Sequence, residues 1–475
     1  MGLAKRRAAI WRLAAMGAAM LAATLAHADD IDDFVNQELA RQRVPGVAVG
    51  IMQHGQLVRA AGYGLANIEH RVPVHPDTIF QSGSIGKQFT AVAVMLLVED
   101  GKVKLDESIR TYLPKAPKTW QPITVRHMLT HTSGIAGDPG YDLRKDFNDD
   151  ELLNEMFKVK LDFAPGERWS YSNTAYALLG LMIHKVTGDQ TYGEVLAKRV
   201  FGPLHMTTAR VISDRDIVPN RSAGYDVADK EIFNQEWVSP TGNSTADGSL
   251  YLTVLDFAKW DAGLRARQLL KPESWAEVYK PVKLNSGKTF PYGFGWSLEQ
   301  TPGERGAYQH GGAWQGFRTF YIRYLDDEIS VVVLANASSA DPETIARGVA
   351  GRYDSKLKLP PAAPIEESEP AVTQRLRGLI DDMIAGKPAA KDYLMPPEAL
   401  AQFGSYYSKQ LSDKGALQEL KLFRRGALGN DTTYRYRARF QNGLMDVGLA
   451  LDPRSKVSQL SFSPLEQWDA PLSPR

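Results

Sequence analysis

The sequence predicts an α+β protein in two folded units. The first is an antiparallel sheet built from both ends of a long segment, flanked by terminal helices and with a helical lobe inserted; the second is a small C-terminal α+β domain. Three observations predict it. Strand-like runs lie early, at Val47–Met52 and Leu57–Ala61, and late, at Tyr292–Leu298, Gly316–Tyr324 and Ile329–Leu334, whereas most of residues 105–245 reads as helical or irregular. Helical spacing over residues 31–42 and 344–353 brackets those strands, as expected where two chain ends close one layer. Finally, residues 358–370, KLPPAAPIEESEP, have a linker's proline and glutamate content, and a chain of 475 residues exceeds one ordinary domain.

In chain order, Lys5, Arg6, Arg7 and Arg12 precede an apolar run from Leu13 to Leu25, and Ala26-His27-Ala28 offers a small-x-small cleavage pattern. Residues 1–28 are therefore expected to be a signal peptide of bacterial type, too short in its apolar run for the roughly 20 residues of a bilayer span. This implies a periplasmic or secreted protein without a stable membrane span. The larger unit then runs over residues 29–357. Its hairpin turns at His54-Gly55, and a buried helix follows from Phe89 to Val98, stopped by Gly101. Leu105–Leu113 reads as a connector and Ile123–Thr130 as a short helix. The loop His131-Thr132-Ser133-Gly134 comes next, then helices over Glu151–Lys158 and Thr174–Val186. Beyond the linker, residues 371–475 predict a helix at Val372–Ile384. Four alternating strands follow, Leu417–Arg425, Thr432–Phe440, Leu444–Leu451 and Val457–Phe462, with turns at Gly429-Asn430, Asn442-Gly443 and Asp452-Pro453.

Composition excludes several classes. Apolar content of 43% and charged content of 23% are those of an ordinary globular protein. The formal charge of +1 becomes −3 without the four basic residues of the leader, so neither nucleic acid nor an anionic membrane surface is an expected partner. There are no cysteines, which removes disulfides, thiolate metal sites and cysteine nucleophiles. His127 and His131 are four apart, but no carboxylate pattern completes a zinc site, and a structural role is the expectation; no metal or cofactor is implied.

The chemistry concentrates where a polar run, Ser82-Gly83-Ser84, opens into the apolar helix. Ser84 and Lys87 stand three apart and share one helix face. Burial lowers a lysine pKa, so a free amine beside a hydroxyl is a nucleophile with its own base. The pattern alone is weak, since it recurs at Ser355 and Lys358 in a segment with no apolar helix after it. Two further stretches strengthen it. Tyr171-Ser172-Asn173 precedes the Thr174 helix and offers a phenol, which a neighbouring cation can bring down to act as proton relay, and an amide to position the lysine or substrate. His310-Gly311-Gly312 precedes a predicted strand, where the Ala313 amide can join the Ser84 amide in holding an oxyanion. Taken singly, Tyr171 fits a packed aromatic, Asn173 a helix N-cap and His310-Gly311-Gly312 a hairpin turn. Asp247-Gly248-Ser249 is expected near the cleft but fits a turn equally well.

Phe80-Gln81-Ser82-Gly83-Ser84-Ile85-Gly86-Lys87, Tyr171-Ser172-Asn173 and His310-Gly311-Gly312 resemble, in order, the three signature motifs of the serine β-lactamase and penicillin-binding protein superfamily. The class C-like branch with its esterases and D-aminopeptidases is most similar. Residues 126–134 and 292–296 also look like segments of that branch, and the resemblance covers roughly residues 30–355. It implies a β-lactamase/transpeptidase-like fold, Ser84 as acylated nucleophile, Lys87 as base, Tyr171 as proton shuttle and Asn173 as positioning group. His310 stands where the family usually has lysine, and histidine near neutral pH is mostly uncharged. No class A-type deacylating glutamate is assignable, Glu167 lying on the wrong side of Tyr171. The implied activity is hydrolysis of an ester, lactone or small amide, on a small-molecule or short-peptide substrate. The alternatives are a D-Ala-type peptidase or weak β-lactamase acting on cell-wall-like peptides, and a non-catalytic peptidoglycan- or peptide-binding protein on the same fold.

Overall fold

A computed structural model describes residues 30–137, 140–188, 190–228, 231–301 and 305–472. The expected leader over residues 1–28 lies outside them. The central sheet has seven antiparallel strands, ordered Ser297–Thr301, Arg305–Trp314, Phe317–Tyr324, Ile329–Ala335, Gly46–Gln53, Gln56–Asn67 and Val72–Pro73. The closing contact pairs the first long strand with the last, Val47 opposite Ala335 and Gln53 opposite Ile329. The sheet is thus made from both ends of the segment, as the sequence predicts.

Strand alternation divides the core in two. Val47, Val49, Ile51, Val331 and Val333 face one side, covered by Ile31, Val35 and Leu39 of the first helix, residues 30–42, and by Ile345 and Val349 of the helix Pro342–Tyr353. Ala48, Met52, Val332 and Leu334 face the other, against the helix Val254–Arg265 and the large core of the helical lobe. The helix Lys87–Glu99 runs through that second core, buried without a break from Lys87 to Leu97. A helix apolar all round is the pattern of complete burial. It ends at Asp100, and Gly101 takes φ +72, the left-handed conformation expected there.

Two strand expectations need correction. Tyr292–Leu298 is not a strand through most of its length: the outer strand starts at Ser297, and Tyr292, Phe294 and Trp296 are core side chains of a loop. Gly295, at φ +75 and packed on the main chain of Lys87, breaks the pleat there. Aromatic density marked core filling, not pairing. His310-Gly311-Gly312 lies inside the strand Arg305–Trp314 instead of preceding one. The sheet tolerates two glycines there because main chain packs on main chain: a Cβ on Gly312 would stand 2.1 Å from the Ser82 carbonyl oxygen.

The C-terminal sheet domain has its own core, drawn from residues between Leu376 and Phe462. Four antiparallel strands, Leu417–Leu428, Asp431–Phe440, Gly443–Leu451 and Val457–Leu465, follow one another in order. They pack with the expected helix, Pro370–Ile384, and with one the sequence reading missed, Pro397–Ser412, whose short apolar stripe contributes Leu400 and Leu411. No helix among the described residues is long and apolar enough to cross a membrane.

Candidate active site

Ser84 sits in a 3-10 turn, Gly83–Gly86, ahead of the helix that begins at Lys87, so the pair spans a turn-to-helix junction and not one regular helical face. The junction is pinned from three sides. Ser82 Oγ donates to the Gly248 carbonyl (2.8 Å), Thr319 Oγ1 donates to the Ser82 carbonyl (2.6 Å), and Phe80 pairs with Leu252. Gly83, at φ +52, lies so near the cleft strand that a Cβ on it would meet the Ala313 nitrogen at 2.5 Å; a Cβ on Gly312 would stand 3.1 Å from the Ser84 nitrogen. The two expected oxyanion amides therefore share one corner of the cleft.

Lys87 is wholly buried. Its Nζ donates to Ser84 Oγ (3.1 Å), to Asn173 Oδ1 (2.8 Å) and to the Asp247 carbonyl oxygen. Three acceptors use all three protons of an ammonium, and the Tyr171 and Tyr176 rings face the same nitrogen at 4.8 and 5.4 Å from their centroids. Burial nonetheless dominates and pushes the amine down to about 8, with the Asp247 carboxylate opposing. A base of that strength is half free near pH 8.

Asn173 is the first residue of the helix Asn173–Thr187, and the capping role falls to Ser172, whose Oγ accepts from the Ala175 amide (3.1 Å). That division leaves the Asn173 amide for the lysine. Tyr171 behaves otherwise than expected. Among the described residues its buried Oη makes no hydrogen bond of ordinary geometry, although it lies close enough to the Ser84 hydroxyl for that group to oppose the effect of burial. Burial wins and holds the phenol well above its ordinary range, so the lysine beside it does not produce a phenolate.

His310 is buried in the strand facing this pair and belongs to a chain of four hydrogen bonds. The Ser172 amide donates to His131 Nδ1 (3.0 Å), which leaves the proton of a neutral ring on Nε2. His131 Nε2 then donates to Tyr292 Oη (3.2 Å), Tyr292 Oη donates to His310 Nε2 (2.9 Å), and His310 Nδ1 donates to the Gly311 carbonyl (2.6 Å). These tautomers are assigned from the network. His131 is held neutral by complete burial and then by the charge of Lys87 beside it. The sequence reading gave His131 a structural role beside His127. The structure parts them: His127 closes a capping box with Thr124, whereas His131, at φ +57, turns its ring against Tyr171, 4.3 Å between centroids. Its left-handed φ is not written in residue type, and the one sequence signal was its place in a loop closed by Gly134. Tyr292 and Trp169 were missed as site residues, whereas Asp247, expected near the cleft, does lie there and contributes its carbonyl. Ser355 of the second motif copy opens a 3-10 turn, Ser355–Leu357, and Lys358 follows it in extended conformation. Among the described residues no three His, Asp or Glu side chains gather as a metal site would need.

The beta-lactamase family model matches residues 31–353. The chain belongs to the beta-lactamase family. Penicillin-binding protein 4* of Bacillus subtilis (strain 168) is 29% identical over 300 residues, which are 59% of this chain and 66% of that protein. D-aminopeptidase of Gluconobacter oxydans (strain 621H) is 28% identical over 311 residues, 63% of this chain and 57% of that protein. The beta-lactamase-family chain thus spans less than two thirds of either relative. The octameric penicillin-binding protein homologue from Pyrococcus abyssi is 25% identical, with a TM-score of 0.60 over 93% of this chain and 96% of that one. That likeness continues past the family match into the C-terminal sheet domain.

Proposed function

We propose that this chain is an exported serine hydrolase that carries an acyl group on Ser84 and hydrolyses an ester, lactone or small amide. The observation that carries the reading is the amine of Lys87, pushed down to about 8 and held 3.1 Å from Ser84 Oγ. The unprotonated amine takes the serine proton as Oγ attacks the substrate carbonyl. The oxyanion forms between the Ser84 and Ala313 amides. Tyr171, a neutral hydroxyl, receives a proton from the Lys87 ammonium as it gives its own to the leaving group. Water then cleaves the acyl-enzyme ester, releasing the acid and restoring Ser84. Export is supported by the basic and apolar leader over residues 1–28.

The hydrogen-bond chain ending at His310 supports a substrate that needs no carboxylate contact there. With Nε2 accepting and Nδ1 donating to main chain, the ring is satisfied as a neutral group. Small D-amino-acid amides fit this requirement, and the similarity to a D-aminopeptidase supports them among the amides. The test is a fluorophosphonate probe on the full chain followed by mass mapping. Adduct on Ser84 that disappears in Ser84→Ala supports the reading; adduct elsewhere, or unchanged labelling of the variant, overturns it.

A further inference from the structure

The first hairpin of the C-terminal sheet domain joins Leu417–Leu428 to Asp431–Phe440 through two residues, Gly429 and Asn430. Gly429 takes φ +60, the conformation that the leading position of a two-residue hairpin turn requires of glycine. The turn does not end in solvent. Asn430 Oδ1 accepts from Ser286 Oγ (2.6 Å), and Asn430 Nδ2 donates to the Glu167 carbonyl oxygen (3.0 Å). Gly429 packs so closely that a Cβ on it would stand 3.1 Å from Leu284 Cδ1 and 3.2 Å from Phe290 Cδ2.

The two segments it touches are tied to each other. Asn285 donates its amide N–H to the Gly166 carbonyl (2.8 Å) and its Nδ2 to the Pro165 carbonyl (2.9 Å). Phe290 stacks on Trp169 with centroids 4.3 Å apart and planes 7° from parallel. Trp169 in turn lies 5.5 Å from Tyr292 and 6.3 Å from Tyr171, ring to ring, and its buried indole N–H has no partner among the described residues. Glu167 is four residues before Tyr171. One asparagine of the C-terminal domain therefore holds the main chain of the loop that carries the phenol, and its neighbour glycine holds the aromatic wall beside it.

We propose that Gly429 and Asn430 are positioning residues for the site, and that the C-terminal domain thereby sets which acyl groups the Trp169–Phe290 wall admits. The proposal rests on the reading of Ser84 as the acylated nucleophile. Displacing such a wall by a fraction of an ångström discriminates against bulky groups and spares small ones, because only the bulky group meets it.

The test uses the full chain and three variants with 4-nitrophenyl acetate and 4-nitrophenyl phenylacetate, which share a leaving group. Asn430→Ala removes both bonds. Asn430→Asp keeps an acceptor for Ser286 and loses the donor to Glu167. Gly429→Ala presses on Phe290. Competent sites are counted by labelling of Ser84. The phenylacetate-to-acetate ratio of kcat/KM is expected to change roughly fivefold or more in Asn430→Ala and Gly429→Ala, chiefly in KM, and to do so in Asn430→Ala without the backbone strain that an alanine at the left-handed Gly429 adds. Asn430→Asp is expected to follow Asn430→Ala. Ratios within twofold of wild type, with Ser84 labelled throughout, overturn the inference and leave the Ser84 reading standing. An equal loss on both esters also overturns it, as mere loosening between domains. Failure to label Ser84 in the wild-type protein removes both.

Discussion

The amide of Ser172 donates to Nδ1 of His131 across 3.0 Å, and this one main-chain bond fixes the hydrogens of Tyr292 and His310 beyond it. Ser172 lies between Tyr171 and Asn173, so the loop that presents the phenol and the lysine-binding amide also sets the protonation of the opposite wall. Tyr292→Phe removes both the acceptor for His131 Nε2 and the donor to His310 Nε2. The variant is expected to lose about tenfold in kcat/KM on a neutral ester while Ser84 is still labelled, a buried donor left unpaired costing about 1–3 kcal/mol. Unchanged kcat/KM counts against the chain's part in shaping the site.

Ser84→Ala and Lys87→Met are each expected to lower kcat/KM about 10³-fold or more on a chromogenic ester, since the two groups act as a unit. The double variant is expected to be little worse than either alone. Additive losses, measured in the same assay, show that the serine and the lysine work separately.

The pH profile tests the lysine directly. An amine near 8 is protonated and ineffective as a base at lower pH, so kcat/KM is expected to rise about tenfold per unit from pH 6 and to level off above about 8. The Asp247 carboxylate favours the charged amine, so Asp247→Asn is expected to move this limb to lower pH. Movement the other way contradicts the electrostatic role of Asp247.

Much of this site is legible in the sequence, because its groups come from short contiguous stretches. Ser84 and Lys87 are held by one turn, Tyr171 and Asn173 by one loop, and His310 and Ala313 by one strand. The hairpin and the late strands read correctly where apolar residues alternate, as at Ile329–Leu334. Reading failed where a side chain was recruited by conformation and not by pattern. His131 enters through a left-handed φ of +57, and Tyr292 through a loop that mimics a strand in composition. Asp247 contributes a carbonyl, which leaves no trace in residue identity. Asn430 acts from another domain.

Tyr171→Phe separates relay from base. With the phenol held well above its ordinary range by burial, it contributes no limb to the profile below about pH 10. The variant is expected to lose about 10²–10⁴ in kcat/KM while the rise toward pH 8 persists. A limb that vanishes together with the hydroxyl reassigns the base to Tyr171.

Burial of His131 also makes stability depend on pH. Its folded pKa lies well below the ordinary 6.5, so in that window the unfolded chain binds the extra proton. Stability rises with pH wherever the unfolded state binds more protons; this contribution is therefore complete above about 6.5 and is lost as pH falls. His127, lowered by burial, acts in the same direction. Asp162 and Asp431, whose carboxyls burial raises, act oppositely but nearer the carboxylate range, so pH 7 to 5.5 isolates the histidines. One proton is equivalent to about 1.4 kcal/mol per pH unit, and Tm is expected to fall by about 2–4 °C over that interval. His131→Gln keeps an acceptor for the Ser172 amide and a donor for Tyr292 but cannot titrate; it is expected to flatten the slope. A calorimetric Tm equally steep in the variant assigns the dependence to other groups.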